Sequence, residues 1–402
     1  MSDFNLKFDE SFRIITIALR SNKCYPYVTR DKIWFLQFIA MFTLNFGIFI
    51  LLLNSIIFYD VPAREFTTAI KNGIMAIVAT TITFKYCILV RDKNSIIQFI
   101  ERLNEDYEIA KHLSAEERDI VSKFSAKGVF VCKIWLIIAV ITSILFPLKA
   151  FYLMGLSYSR GEFQLVPMYD LNYPKIINDY KTMPILYFIL FSLTFYFDLF
   201  AMTMYMGFDP LVPVFMLHLC GQIHLLSRRI QKVFTGNNTN AVINENLKQI
   251  NIKLSQIYIF VREIQDVFTI LYEYNLKTTT FLIPFSLRVK EINLEFIFFF
   301  TGAILHFYMP CYYSDLLMET SDILRESIYT CGWETIENIQ HRKIILFMLT
   351  RATKPLVIRT VFFPICLDTF AEEVILIWPN EAKIIKMIFS SCYSTLLERT
   401  IL

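Results

Sequence analysis

Apolar residues are grouped along this chain into long runs that charged segments separate. The first run extends from about Ile33 to Phe58 without a charged residue, and the second from about Phe66 to Val90. An α-helix rises about 1.5 Å per residue, so roughly 20 apolar residues cross the ~30 Å hydrocarbon core of a bilayer. Both runs therefore predict membrane-spanning helices.

Four more spans are predicted in the same way. The third covers about Val129 to Leu153, and the fourth begins at Ile185 with an apolar run that reaches Leu219. A run of about 35 residues exceeds any bilayer crossing, so we expect the fourth helix to extend beyond the membrane. A weaker fifth span begins with Glu273 and Lys277, which are spaced to neutralise each other on a helix. The sixth covers about Leu294 to Tyr313.

The segments between these spans predict the topology. Residues 91–127 are amphipathic and suggest that span two continues as a helix into the cytoplasm. Residues 155–184 form a long external loop, rich in proline and tyrosine, which we expect to be an ordered lid without secondary structure. The first 32 residues contain no signal peptide, so the N-terminus is expected in the cytoplasm. The sequon at Asn237 then faces the cytoplasm and stays unmodified, and the eight cysteines form no disulfide.

Few ionisable groups lie inside the predicted spans. Lys71 and Lys85 are close to opposite ends of span two, where each ammonium is expected to reach the headgroups along its own stem. Asp198 lies in span four without an obvious cationic partner, so it is either functional or faces a wet crevice between helices. His306 stands alone among apolar residues of span six, which is more typical of a hydrogen-bonded core residue than of a metal ligand.

Composition supports a membrane protein and argues against catalysis. The chain has 402 residues, of which 55% are hydrophobic, and a mean hydropathy of +0.47, which is too apolar for a soluble protein of this size. A net charge of +3 gives no reason to expect a nucleic-acid partner. The sequence contains no phosphate loop, nucleophile elbow or zinc-binding helix, so we expect no enzyme, no cofactor and no metal.

The C-terminal half carries the most specific motifs. In chain order they are HLCGQIHLLSRRI, CYYSDLLMETSDILRESIYTCGW, HRKIILFMLTRATKPL, FFPICLDTF and SSCYSTLL. Together they resemble the insect odorant receptors, a family of ligand-gated cation channels. The resemblance implies an all-α, polytopic seven-transmembrane-helix bundle with a cytoplasmic N-terminus. It also implies cytoplasmic anchor helices at about 220–267 and 314–358, and a pore-forming C-terminal span at about 359–402.

The same resemblance implies a function and a set of site residues. This chain would be the odorant-binding subunit of a non-selective cation channel in the plasma membrane of olfactory sensory neurons. It would assemble with the odorant receptor co-receptor into four subunits and bind a small neutral volatile ligand. The implied ligand-binding residues are Gly73, Ile74, Ile77, Thr142, Phe146, Tyr187, Phe191, Phe195, Thr279 and Ile283. The implied pore residues are Ser391, Cys392 and Thr395.

Two alternatives and one departure from the family remain. The alternatives are a non-conducting or G-protein-linked seven-span chemoreceptor and a gustatory-type receptor, whose sequence signatures are missing from the corresponding places. The departure is an insertion near 372–386, with acidic residues, lysines and Pro379 between Phe370 and Cys392. Charges and a proline cannot simply lengthen a membrane crossing. The insertion is therefore either a cytoplasmic or interfacial detour before a short pore helix, or foreign sequence retained by a faulty gene prediction.

Overall fold

The structure, a computed structural model, is almost entirely helical. It describes residues 6–235, 239–287 and 294–377, without the side chains of 279–287, 294–300 and 373–377. The helices are α1 (Phe8–Ser11), α2 (Arg13–Ser21), α3 (Lys32–Ser55), α4 (Phe66–Arg91), α5 (Lys93–Ala110), α6 (Ala115–Ser159), α7 (Lys175–Asn178), α8 (Pro184–Phe208), α9 (Leu211–Lys232), α10 (Asn240–Leu287), α11 (Leu294–Tyr329), α12 (Ile339–Ala352) and α13 (Leu367–Ile377). Within these ranges the only β feature is one antiparallel bridge between Arg359 and Pro364. The predicted all-α class is confirmed.

Among the described residues, four segments are long and apolar enough to cross a membrane. They are Lys32–Asp60, Phe66–Arg91, Ala115–Ser159 and Pro184–Lys232, and they contain the first four predicted spans. Predicted spans five and six fall within α10 and α11. Most of the predicted seventh span, with Ser391, Cys392 and Thr395, lies outside the described residues.

Local sequence explains where these helices start. Asp31 caps α3 by accepting a hydrogen bond from the backbone N–H of Trp34 at 2.7 Å. Ser114 and Glu117 form a capping box at the start of α6, in which each side chain bonds the other residue's backbone N–H. This cap begins α6 well before the apolar run at Val129, so the helix is longer than the predicted span.

The fourth helix is longer than a bilayer crossing, as predicted: Pro184–Lys232 is one apolar segment of 49 residues, in which Asp209 and Pro210 separate α8 from α9. Two predicted details differ from the structure. The sequence predicts that span two continues as one helix, but α4 ends at Arg91. Asp92 has a ψ of 25°, which is not helical, and a separate helix, α5, begins at Lys93. The external loop is not wholly irregular, since it contains the four-residue helix α7.

The N-terminal residues pack into the bundle. Phe8 and Ile15 are fully buried, and Leu19 is 1% exposed. Helix α2 lies against α8 at Gly207, where an added Cβ would come within 2.7 Å of a Leu19 methyl group. A larger residue at Gly207 would therefore separate α2 from α8.

The external loop is tied to the ends of α3 and α4 by a buried carboxylate. Asp60 lies in a π-helical turn after α3 and is fully buried. It accepts hydrogen bonds from Ser55 at 3.2 Å, from the Asn72 amide at 2.8 Å and from the Asn172 amide of the loop at 3.1 Å. Tyr169 of the loop packs edge-on against Phe146 of α6, with ring centroids 5.1 Å apart. These contacts hold the loop against the bundle, as an ordered lid requires.

A second polar cluster joins α5, α9 and α10. Asp106 of α5 pairs with Lys253 of α10 and lies 2.9 Å from Nε2 of His218 in α9. Burial raises the pKa of the Asp106 carboxyl, but the bond to His218 and the charges of His218 and Lys253 outweigh burial and lower that pKa below its ordinary value. The ionised carboxylate therefore links α5, α9 and α10.

Candidate ligand-binding site

A cavity lies between the helices of the bundle. Its volume is about 90 Å³, several times the ~10 to 15 Å³ that one water molecule needs. The lining residues come from α4, α6, α8, α10 and α11: Ile77, Val78, Thr81, Trp135, Ile138, Ala139, Thr142, Tyr205, Thr278, Gly302, Ala303 and His306. The described part of the wall is mainly apolar and contains no carboxylate, ammonium or guanidinium, so it suits a neutral molecule.

The polar atoms of the wall are few and mostly occupied. The hydroxyls of Thr81, Thr142 and Thr278 each donate to a carbonyl one turn earlier in their own helix, at 2.8 to 2.9 Å. The indole N–H of Trp135 is buried and has no hydrogen-bond acceptor among the residues the structure describes. A buried donor without an acceptor is costly, so Trp135 is a place where a ligand oxygen could bind favourably.

His306 connects the cavity wall to a buried ion pair. Its Nε2 lies 2.9 Å from the ammonium of Lys85 and 3.5 Å from Oδ1 of Asp209. Lys85 and Asp209 are themselves 2.5 Å apart, with side chains 0% and 7% exposed. The rings of Trp135 and Tyr205 meet the His306 ring edge-on, with centroids 6.0 and 5.7 Å away. The imidazole is therefore fixed in place on several sides.

The prediction that Lys85 reaches the headgroups is wrong. Its ammonium points into the bundle, pairs with Asp209 and lies 4.1 Å from the centroid of the Tyr205 ring. The ion pair and the aromatic face replace the water that the ammonium would otherwise need. The expectation that His306 is hydrogen-bonded fits this geometry, but His306 does not stand alone among apolar residues.

Asp198 has a different environment. Its side chain is buried, and Ser143 of α6 donates a hydrogen bond to it at 2.8 Å. Within the described parts of the chain no cation lies within ion-pair distance of Asp198. It joins α6 to α8 and does not line the cavity.

The predicted ligand-binding residues are distributed over several places. Ile77 and Thr142 line the cavity. Ile74 is buried on α4 outside the lining, and Gly73 has open space where a side chain would be. Three further sets of predicted residues lie outside the lining. Phe146 packs against Tyr169 of the external loop, and Tyr187 and Phe191 pack against each other with ring centroids 5.7 Å apart. Phe195 is 39% exposed. Thr279 and Ile283 belong to α10, but their side chains lie outside the described set.

Sequence reasoning missed His306, Trp135 and Tyr205 as cavity residues. Trp135 and Tyr205 have the sequence context of ordinary packing residues. His306 could have drawn attention as an ionisable side chain in the middle of span six. Its partners Lys85 and Asp209 are more than 90 positions away in the chain. No local sequence pattern could have predicted that His306, Lys85 and Asp209 contact one another.

The sequence was compared with known proteins. The family described as 7tm Odorant receptor matches residues 65–374, which is more than half of the chain. The chain belongs to the odorant receptor family. Two relatives of this odorant receptor, both from Drosophila melanogaster, are Odorant receptor 13a, 28% identical over 174 residues, and Odorant receptor 10a, 22% identical over 276 residues. These matches cover 40% and 64% of this chain, and 41% and 66% of the relatives.

Solved structures agree with this family assignment at the level of the fold. The insect olfactory receptor OR5 from Machilis hrabei superposes with a TM-score of 0.73 at 16% identity, covering 94% of this chain and 98% of that one. The same receptor in complex with eugenol gives a TM-score of 0.71, also at 16% identity, with 95% and 98% covered. This odorant receptor therefore has the fold of the insect olfactory receptors and is a membrane protein.

Proposed function

We propose that this chain is the odorant-binding subunit of a ligand-gated, non-selective cation channel. It assembles with the odorant receptor co-receptor into four subunits in the plasma membrane of olfactory sensory neurons. The observation that carries the proposal is the cavity between α4, α6, α8, α10 and α11, whose described lining has no carboxylate, ammonium or guanidinium. Membership of the odorant receptor family also favours a receptor over an enzyme.

The ligand is a small neutral volatile. An apolar wall gains free energy from the apolar area that a ligand buries, at about 25 cal/mol per Å². A charged ligand would lose its hydration against a wall that offers it no opposite charge. One of the similar receptors was solved in complex with eugenol, which supports a small organic molecule as the ligand. Ile77 and Thr142 are the predicted ligand contacts that this cavity favours most.

Co-expression tests the proposal. Cells that express this chain with the co-receptor are expected to give odorant-evoked cation currents, while cells that express this chain alone are expected to give none. The measurement is whole-cell recording over a panel of neutral, acidic and basic volatiles. Current from this chain alone, a response that needs a G protein, or activation by charged compounds only would contradict the proposal.

A substitution in the cavity wall tests whether the odorant binds in this cavity. An added Cβ at Gly302 would lie 3.9 Å from a methyl group of Ile138, which is an ordinary contact, so Gly302→Val should fold and narrow the cavity. Each extra methyl group in an apolar pocket is worth about 1 to 3 kcal/mol, so the largest active odorants should lose at least about ten-fold in potency. The matched control is Gly47→Val on α3, where a Cβ meets nothing within 4 Å and the cavity is not involved. Equal effects of the two variants would place the ligand elsewhere.

A further inference from the structure

The tautomer of His306 follows from its neighbours. The ammonium of Lys85 can only donate hydrogen bonds, so Nε2 of His306, 2.9 Å away, accepts from it, whereas Oδ1 of Asp209 at 3.5 Å is beyond the usual range for a bond from Nε2. A doubly protonated ring would place two cations side by side, whereas a neutral ring has its one hydrogen on Nδ1. No hydrogen bond from Nδ1 is found within the described part of the chain.

The cavity therefore has one end rich in donors. His306 and Trp135 both line it. The Nε1–H of Trp135 is buried without an acceptor among the residues described, and the contacts found for His306 in the same residues are made by Nε2, not by Nδ1. The wall's threonine hydroxyls donate to their own helices instead. The bond from Lys85 draws electron density away from Nδ1 through the ring, which makes its N–H a stronger donor.

We propose that this cavity selects neutral ligands that carry an accepting oxygen, of which ketones, aldehydes and esters are the simplest, and that His306 donates to that oxygen. The inference rests on the proposed function, in which this cavity holds the odorant. Lys85 and Asp209 act as positioning residues, because they fix the tautomer and the place of the ring without lining the cavity. The apolar remainder of the ligand packs against the wall of α4 and α6.

Shape-matched compounds test this selection on the unmodified chain. Acetophenone and α-methylstyrene differ only in a carbonyl oxygen replaced by a methylene group, as do 2-heptanone and 2-methyl-1-heptene. With the co-receptor present, the ketone of an active pair is expected to be at least about ten-fold more potent, because the alkene leaves the donors buried without acceptors. Equal potency within the active pairs would overturn the inference.

Variants of His306 show which residue makes the distinction. His306→Leu removes the donor and should bring the potency ratio of ketone to alkene close to one. His306→Gln retains a carbonyl that can accept from Lys85 and an N–H that can donate, so it should keep part of the ratio. Because the ratio is compared between variants, differences in volatility and membrane partition cancel.

The matched control is Thr142→Val, which also changes a polar cavity residue. Its hydroxyl donates to the carbonyl of Ile138, so its loss should shift both members of a pair equally. Surface labelling confirms that each variant reaches the membrane. A His306→Leu variant that keeps the wild-type ratio contradicts the inference alone. Silence toward every compound, with both subunits at the surface, contradicts the proposed function instead.

Discussion

A lysine inside a helical bundle is held by the partners it meets there. Lys85 has no exposed side-chain surface, and Asp209 and His306 occupy the space around its ammonium. Moving two charges out of water is expensive, so such a pair adds little net stability. Removing one partner is costly, because it leaves the other charge buried alone. The value of the pair lies in fixing α4, the junction of α8 and α9, and α11 relative to one another.

Replacing Lys85 should therefore destabilise the protein strongly. Lys85→Met leaves the carboxylate of Asp209 buried with only His306 near it, and the expected cost is about 3 to 5 kcal/mol. The measurement is the thermal stability of the detergent-solubilised protein, followed by size-exclusion chromatography. The double variant Lys85→Met with Asp209→Leu removes both charges and should recover most of the loss.

The matched control is Lys133→Met, because Lys133 is exposed on α6. A surface substitution of this kind usually changes stability by less than about 0.5 kcal/mol. If Lys85→Met were no worse than Lys133→Met, the buried ion pair would not be a structural requirement. If the double variant were as unstable as the single one, lost packing rather than an unpaired charge would explain the effect.

At the level of elements, the external loop depends on a small polar cluster. Asp60 is buried and accepts hydrogen bonds from three residues, one of which, Asn172, belongs to the loop. Asn172 also donates its backbone N–H to Ser55 at 2.9 Å. The loop has little regular structure, so these bonds and buried side chains such as Tyr169 provide its order.

Loss of the Asp60 carboxylate should loosen this loop. Asp60→Asn replaces an accepting oxygen with an NH₂ group that faces donors, at a cost of about 1 to 3 kcal/mol. We expect faster proteolysis between α6 and α8 and a lower melting temperature. The control is Asp179→Asn, an exposed carboxylate of the same loop, which should change neither. Equal cleavage of the two variants would mean that the cluster does not hold the loop.

The helices were more predictable from sequence than the contacts between them. The span boundaries near Lys32 and Phe66 follow from long apolar runs, because a helix that crosses a bilayer needs about 20 consecutive apolar residues. The break at Asp209 and Pro210 lies within such an apolar run, so the hydropathy pattern did not predict it. The burial of Lys85 depends on Asp209 and His306, which come from distant helices. Of the predicted ligand residues with described side chains, Ile77 and Thr142 line the cavity, while aromatic residues of the same type pack elsewhere.

For the whole molecule, the predicted departure from the family lies near residues 372–386. The family match ends at residue 374, two residues beyond Glu372, where the predicted insertion begins. Helix α13 runs from Leu367 to Ile377, so the first residues of the insertion continue a helix that starts before it. Eleven residues rise about 16 Å, which is far less than the ~30 Å of a hydrocarbon core. Glu372 and Glu373 also make α13 unsuited to lipid contact.

Deletion of Glu372 to Lys386 tests whether the insertion belongs to the channel. If it is foreign sequence, its removal joins the LDTF motif of α13 more closely to the SSCYSTLL segment, and the proposed pore helix becomes one continuous span. The deleted chain should then give larger odorant-evoked currents with the co-receptor than the full chain, at similar surface expression. A matched control replaces Glu372, Glu373 and Glu381 with glutamine, which keeps the length and removes acidic charge. If the deletion abolishes a current that the full chain supports, the insertion is a genuine detour before a short pore helix. If the glutamine variant alone restores the current, charge rather than length limits conduction.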